Sequence, residues 1–379
     1  MAEVERETEK PKTSTRELDD VHAHLTTWLA AQLPDDALPE IGTLTTPTSG
    51  GMSSETVLFD ATWNEAGEHG GSAQRHALVA RLAPEDSAVP VFPRYDLDRQ
   101  SRVIRLVGAR TAVPVPQVRW FEPDPTALGS AFIVMDQVDG IAPPDVMPYN
   151  FGSWLMDASR EDQRRLQDAS VRVLAEIHGV DATPEELAFL AVDAPGDTAL
   201  RRHVNDLVAY YEWVRGDLRV PVIEAGFGWI EDNWPEGPGE PLEAVISWGD
   251  SRIGNILYRD FEPVAVLDWE MAAVAPREVD IGWMIFIHDF FEHVAQQIEL
   301  PGMPHFMRRE DVAATYEAAS GVAPQNLGFY ELYAALRHAI VMARVTLRAI
   351  HFGESEMPAD PDELVLHRNL LREMIGGKS

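Results

Sequence analysis

Apolar and polar positions change period part-way along this 379-residue chain. Residues 1–13, MAEVERETEKPKT, are polar and charged and predict a disordered tail. Ser14 and Glu17 have capping-box spacing, and Leu18, Val21, Leu25, Trp28, Leu29 and Leu33 then recur on one helical face until Pro34 ends the run. The pattern over 43–83 is strand-like. PTSGGMSSETVLFDATW reads as a Gly-rich turn feeding a strand, and GGSAQRHALVARLAP as a second turn and strand, together a twisted meander. Helical spacing returns over 96–108, with apolar residues at 97, 103, 104, 106 and 107. VPVPQVRWFE and SAFIVMDQV predict two more strands, and DGIAPPDVMP is a Pro-rich link.

After about residue 150 helices dominate, at 161–178, 199–215, 221–233, 279–298, 309–320, 329–350 and 361–375. Two short apolar runs, AVISW and PVAVLDW, interrupt them. The expected architecture is α+β and two-lobed. A β-rich N-terminal lobe with its leading helix spans 14–140, and an α-rich C-terminal lobe spans 141–379.

Composition narrows the function. The absence of cysteine excludes disulfides, thiolate metal sites and a Cys nucleophile, and fits a reducing compartment. The polar N-terminus has no apolar segment of a signal peptide. No window reaches the ~18 apolar residues of a membrane span, so no membrane partner is expected and the expected location is the cytoplasm. Thirty-one basic against sixty-two acidic residues give a formal charge of −31. That disfavours nucleic acid as a partner, and it would attract cations while keeping the chain soluble.

The chemistry lies in SWGDSRIGNILY, residues 247–258, and in VLDWEMAAV shortly after. Asp250, Asn255 five residues on, and Asp268 at the end of an apolar strand are all oxygen donors. Any one alone reads as a turn residue. Jointly they have the spacing that phosphoryl transfer uses: an Asp to take the acceptor proton, then an Asn and a second Asp for Mg2+.

These residues, with Gly249, Trp269, Glu270, Asp280 and Trp283, resemble the aminoglycoside phosphotransferase family, small-molecule kinases with the protein-kinase fold. The resemblance covers roughly residues 40–350. It implies a bilobal fold with ATP and Mg2+ in the cleft, Asp250 as catalytic base, and Asn255 and Asp268 as metal ligands. It further implies that Gly50, Gly51, Ser53 and Ser54 cover the phosphates, and that the hinge at Asp136, Gln137 and Val138 receives adenine. Arg81 stands where the family places the phosphate-binding lysine, and Gln100 where it places that cation's acidic partner, so the ion pair is replaced or absent. Trp248 replaces a structural His and is expected to anchor the loop; an indole donates one hydrogen bond and accepts none. The resemblance implies that Asp280 orients the catalytic loop, while Trp269, Trp283, His178 and His288 read as packing residues.

The resulting expectation is an O-phosphotransferase acting on a small-molecule hydroxyl. Three acceptors fit: an aminoglycoside-like polyamine sugar, a hydroxyacyl-CoA, and an amino alcohol such as choline. The hydroxyacyl-CoA enters because GDSRIGNILY and VPVPQV also resemble kinase domains found beside acyl-CoA dehydrogenases. Arg201, Arg202 and Arg215 are the expected receivers of an anionic acceptor. The competing class is a non-catalytic, nucleotide-binding pseudokinase.

Overall fold

A computed structural model describes residues 16–47, 54–65, 72–85, 88–237 and 242–377 of the chain. Helix α1 (Leu18–Gln32) covers one face of a five-stranded sheet. The strands are β1 (Glu40–Ile41), β2 (Glu55–Glu65), β3 (Ser72–Leu82), β4 (Val118–Glu122) and β5 (Phe132–Asp136), in the spatial order β1-β2-β3-β5-β4 with antiparallel neighbours. Side chains alternate across a strand, so Val57, Phe59, Ala61 and Trp63 of β2 share a face with Leu78, Ala80 and Leu82 of β3. Val21, Leu25, Trp28 and Leu29 of α1 close that face. The opposite face offers Val79, Ile133 and Met135 to Val103, Ile104 and Val107 of helix α2 (Leu97–Arg110), within the main core. Arg81 has the parity of Val79 and therefore points to the α2 side.

The helical part contains α3 (Arg160–His178), α4 (Ala199–Arg215) and α5 (Pro221–Asp232). Two hairpin-like pairs follow. Strand β6 (Ala244–Ser247) pairs with β9 (Ala273–Pro276), and β7 (Ile256–Arg259) with β8 (Glu262–Val266). Both pairs precede α6 (Glu278–Gln297), α7 (Arg309–Ser320), α8 (Leu327–His351) and α9 (Arg368–Ile375). The α+β class expected from the sequence is the one observed.

One local expectation is corrected, and another falls partly outside the described residues. Helix α1 starts at Leu18 with Glu17 as its N-cap, and the expected capping box cannot be followed from there to its first member. Ser14 lies outside the described residues. The helix expected over 361–375 is interrupted: a short turn at Pro361–Leu364 precedes α9. Tertiary burial overrides local propensity here. His367 turns inward to the Ala335 carbonyl, and Leu364 and Val365 enter the core.

Helices α6 and α8 pack closely because Gly282 lets them. A Cβ there would stand 2.7–2.9 Å from the Tyr330 backbone and Cβ. We expect Gly282→Ala to cost about 1–3 kcal/mol through overpacking, and to displace Asp280 and Trp283 on the same helix. Urea unfolding checks this; an unchanged midpoint would show that α8 yields freely.

Candidate active site

The turn between β6 and β7 would not hold its shape alone, since it is a loop with buried backbone donors. Asp280, fully buried in the first turn of α6, supplies the acceptors. Its Oδ1 accepts from Ser247 Oγ and the Gly249 amide, both at 2.8 Å, and its Oδ2 from the Trp248 amide at 2.7 Å. His178 Nε2 stands 3.0 Å from Oδ2, and the other ring nitrogen meets Tyr316 Oη at 2.8 Å. Burial alone would raise the Asp280 carboxyl; the hydrogen bond and charge of His178 and the Gly249 amide outweigh it and hold the carboxyl below its ordinary value. Gly249 is required at its position, with φ +92° and the Met271 carbonyl only 2.2 Å from where a Cβ would sit.

The loop so held presents Asp250. Its Oδ2 accepts from Asn255 Nδ2 at 2.7 Å and its Oδ1 from Trp283 Nε1 at 2.8 Å. Arg252 Nε lies 3.1 and 3.0 Å from the two oxygens. A terminal nitrogen of Arg252 donates to Asp145, whose carboxylate also packs on Gly254, so a Cβ at Gly254 would fall 2.3 Å from it. Burial would lower the Arg252 guanidinium, but Asp250 and Asp145 outweigh it and keep it charged. The same burial raises the Asp145 carboxyl, against Arg252.

Asp268 follows β8 in a left-handed conformation, φ +59°, which Asp tolerates better than most residues. The Leu267 amide donates to the Asn255 carbonyl at 2.9 Å, tying the two loops. Trp248 adds a second tie, its Nε1 donating to the Leu267 carbonyl at 2.8 Å. The indole thus anchors the loop, and does so next to Asp268. Arg81 reaches across the cleft with one terminal nitrogen 2.5 Å from Asp268 Oδ1 and 3.0 Å from Glu270 Oε2. Gln100 is buried, and its Nε2 has no hydrogen-bond partner among the described residues. At the hinge the Gln137 amide is committed to the Ala77 carbonyl at 2.9 Å, and Asp136 pairs with Arg119 at 2.7 Å. Ser54 is buried at the start of β2; Gly50, Gly51 and Ser53 lie outside the described residues.

The chain is similar to known proteins in sequence and in fold. The sequence profile of the phosphotransferase enzyme family matches residues 47–325. The chain belongs to that family. Among solved structures it resembles an aminoglycoside phosphotransferase candidate from Ralstonia eutropha, with 19% identity, TM-score 0.63, and 94% and 97% of the two chains covered. It also resembles the GDP and kanamycin complex of APH(2")-IIIa, with 14% identity, TM-score 0.56, and 94% and 99% covered. Such identities show the fold alone: the bilobal, protein-kinase-like fold of these phosphotransferases. The probable acyl-CoA dehydrogenase IBR3 of Arabidopsis thaliana is 25% identical over 79% of this chain and 35% of its own length. Acyl-CoA dehydrogenase family member 10 of Mus musculus is 24% identical over 84% and 29%. The chain therefore spans about a third of the curated relatives it matches.

In this phosphotransferase a cavity of about 490 Å3 opens beside Glu270 and Met271, between the loop before α2 and helices α4 and α8. Tyr95, Tyr210, Trp213 and Tyr333 supply aromatic faces. Arg94, Arg99 and Arg337 face Asp96, Asp193 and Asp206. Burial raises the Asp206 carboxyl and pushes His203, another lining residue, down to about 4, which leaves that imidazole neutral at pH 7. Arg337 also reaches the Gly249 carbonyl at 3.3 Å and so links the cavity to the loop that carries Asp250. Arg201, Arg202 and Arg215 do not line the cavity. Arg201 is bound to Glu231 and stacked over Trp234, and Arg215 pairs with Glu212. Their spacing on α4 carried no information about which face would be enclosed. Sequence reasoning missed Asp145, Arg252 and Arg337. The one available signal was Arg252, two residues after Asp250 in the motif itself.

Replacing Asp280 by Asn turns a donor toward groups that already donate. We expect Asp280→Asn to cost about 3–5 kcal/mol and to expose the Trp248 and Gly249 amides to exchange. Hydrogen exchange on a folded sample checks it; protection equal to the wild type would remove Asp280 as the loop's anchor.

Proposed function

We propose that the chain is an ATP- and Mg2+-dependent O-phosphotransferase acting on a small-molecule hydroxyl. The carrying observation is the joint placement of Asp250, Asn255 and Asp268 on two loops tied by the Leu267–Asn255 and Trp248–Leu267 hydrogen bonds. The donor set fits Mg2+. Asn255 spends its Nδ2 on Asp250, which leaves its oxygen, and Asp268 brings a carboxylate; both are hard ligands of the kind Mg2+ takes alongside phosphate oxygens. When bound, the ion neutralises charge on the transferring phosphoryl group. The neighbours' nucleotides, GDP in one and AMP-PNP in another, support a nucleotide in the same cleft here.

Asp250 then accepts the proton of the acceptor hydroxyl as its oxygen bonds to the γ-phosphorus and the bond to the departing ADP breaks. Asn255, Trp283 and Arg252 donate to the two oxygens of Asp250 and so fix the orientation of its carboxylate. That suits a loose transition state, in which the hydroxyl needs orientation more than early deprotonation. Arg81 receives the phosphates. Because the Asp136 and Gln137 amides are occupied by the Gln117 and Ala77 carbonyls, adenine pairs with the Asp136 carbonyl and the Val138 amide.

For the acceptor, the cavity favours a molecule with an apolar body over a polyamine. Three arginines stand among its four carboxylates, and one of those, Glu270, is bound to Arg81, so only a small part of the chain's charge of −31 is concentrated in this pocket. The curated relatives named as acyl-CoA dehydrogenases support an acyl-thioester bearing a hydroxyl, a hydroxyacyl-CoA.

An ATP-consumption screen over hydroxyacyl-CoAs, amino alcohols and aminoglycosides tests this, with turnover expected for the first class. A polycationic acceptor that turns over best, with a KM rising steeply with salt, would overturn the acceptor assignment. A thermal shift with nucleotide but no turnover on any acceptor would favour the pseudokinase. Asp250→Asn is expected to keep nucleotide affinity and lose ~10²–10⁴ in kcat; a fully active variant removes Asp250 from the reaction.

A further inference from the structure

The phosphate-binding cation of this chain has exchanged its partner. Strand parity aims Arg81 at the α2 side of the sheet, where Gln100 sits in the first half of α2. No hydrogen bond joins the two among the described residues, and Gln100 brings a buried amide nitrogen with no partner. The guanidinium instead bridges Asp268 at 2.5 Å and Glu270 at 3.0 Å, both on the loop after β8. The left-handed turn at Asp268 brings these two carboxylates, two residues apart, to one nitrogen. We infer that Glu270 is the positioning residue for Arg81, in place of any side chain of α2, and that it ties the nucleotide-binding strand directly to the loop that carries Asp268.

Burial of Arg81 would lower its charge state, and the two carboxylates outweigh this. They have different prospects, however. Asp268 is the proposed metal ligand, so an arriving nucleotide and its ion compete with Arg81 for it. Glu270 has no such duty and keeps the guanidinium aimed into the cleft while Asp268 is released. Nucleotide capture and release of Asp268 are then one exchange, made across the two lobes, and α2 is not its lever. This rests on the nucleotide-binding reading above.

The test is calorimetric titration of Mg·AMP-PNP, with no acceptor present, into the wild type and into Glu270→Gln, Gln100→Met, Arg81→Gln and the Arg81→Gln/Glu270→Gln pair. Loss of a charge-assisted bond to the cation should weaken binding about tenfold or more in Glu270→Gln. Gln100→Met should stay within about twofold of wild type, and the double variant should be no weaker than Arg81→Gln, as for two members of one contact. Should Glu270→Gln not fold, Glu270→Asp, which withdraws the charge by one methylene, should show the same ranking. Wild-type affinity in Glu270→Gln, or an equal loss in Gln100→Met, overturns the inference while leaving the proposed function standing. A wild type that binds no nucleotide overturns both.

Discussion

The carboxylate of Asp280 accepts from Ser247 Oγ and the amides of Trp248 and Gly249, and meets His178. A buried charge is tolerable only when its lone pairs are filled, and these groups fill them. Its place in the first turn of α6 adds the favourable end of the helix dipole. Everything downstream inherits this geometry. The loop places Asp250, Asp250 is held by Asn255, Trp283 and Arg252, and the Trp248 indole passes the order on to the segment ending in Asp268. Because Asp280, Gly282 and Trp283 lie within four residues of one helix, the close approach of α8 at Gly282 also fixes where α6 presents Asp280 and Trp283.

Electrostatics organises the cleft on a finer scale than net charge suggests. Each buried guanidinium faces two carboxylates: Arg81 with Asp268 and Glu270, Arg252 with Asp250 and Asp145. The carboxylates outweigh the burial of both guanidiniums and keep them charged. The neighbouring cavity likewise sets three arginines among four carboxylates, and its aromatic faces supply contact area without charge.

Much of this was legible in the sequence, for physical reasons. Period-2 and period-3.6 patterns follow directly from side-chain geometry, so β2, β3, α3 and α4 stand close to where the spacing puts them. The trio was legible because its members are bound by local spacing: Asn255 reaches Asp250 within one turn of loop. The rest depends on tertiary approach. Asp145 meets Arg252 across 107 positions and Arg81 meets Asp268 across 187, and no periodicity encodes such distances. The arginines of the cavity are set by how α4 and α8 face the loop before α2. The break before α9 follows from burying His367, which local propensity cannot anticipate. Trp248 looked out of place in the motif and is instead one of its ties.

The central claim is that one cleft aligns a nucleotide phosphate with an acceptor hydroxyl beside Asp250. Phosphorus NMR of the wild-type chain with Mg·ATP and a hydroxyacyl-CoA tests it most directly. The account predicts a phosphomonoester resonance that grows as the γ-phosphate resonance fades. Release of inorganic phosphate alone, with no ester formed on any hydroxyl acceptor, would contradict it.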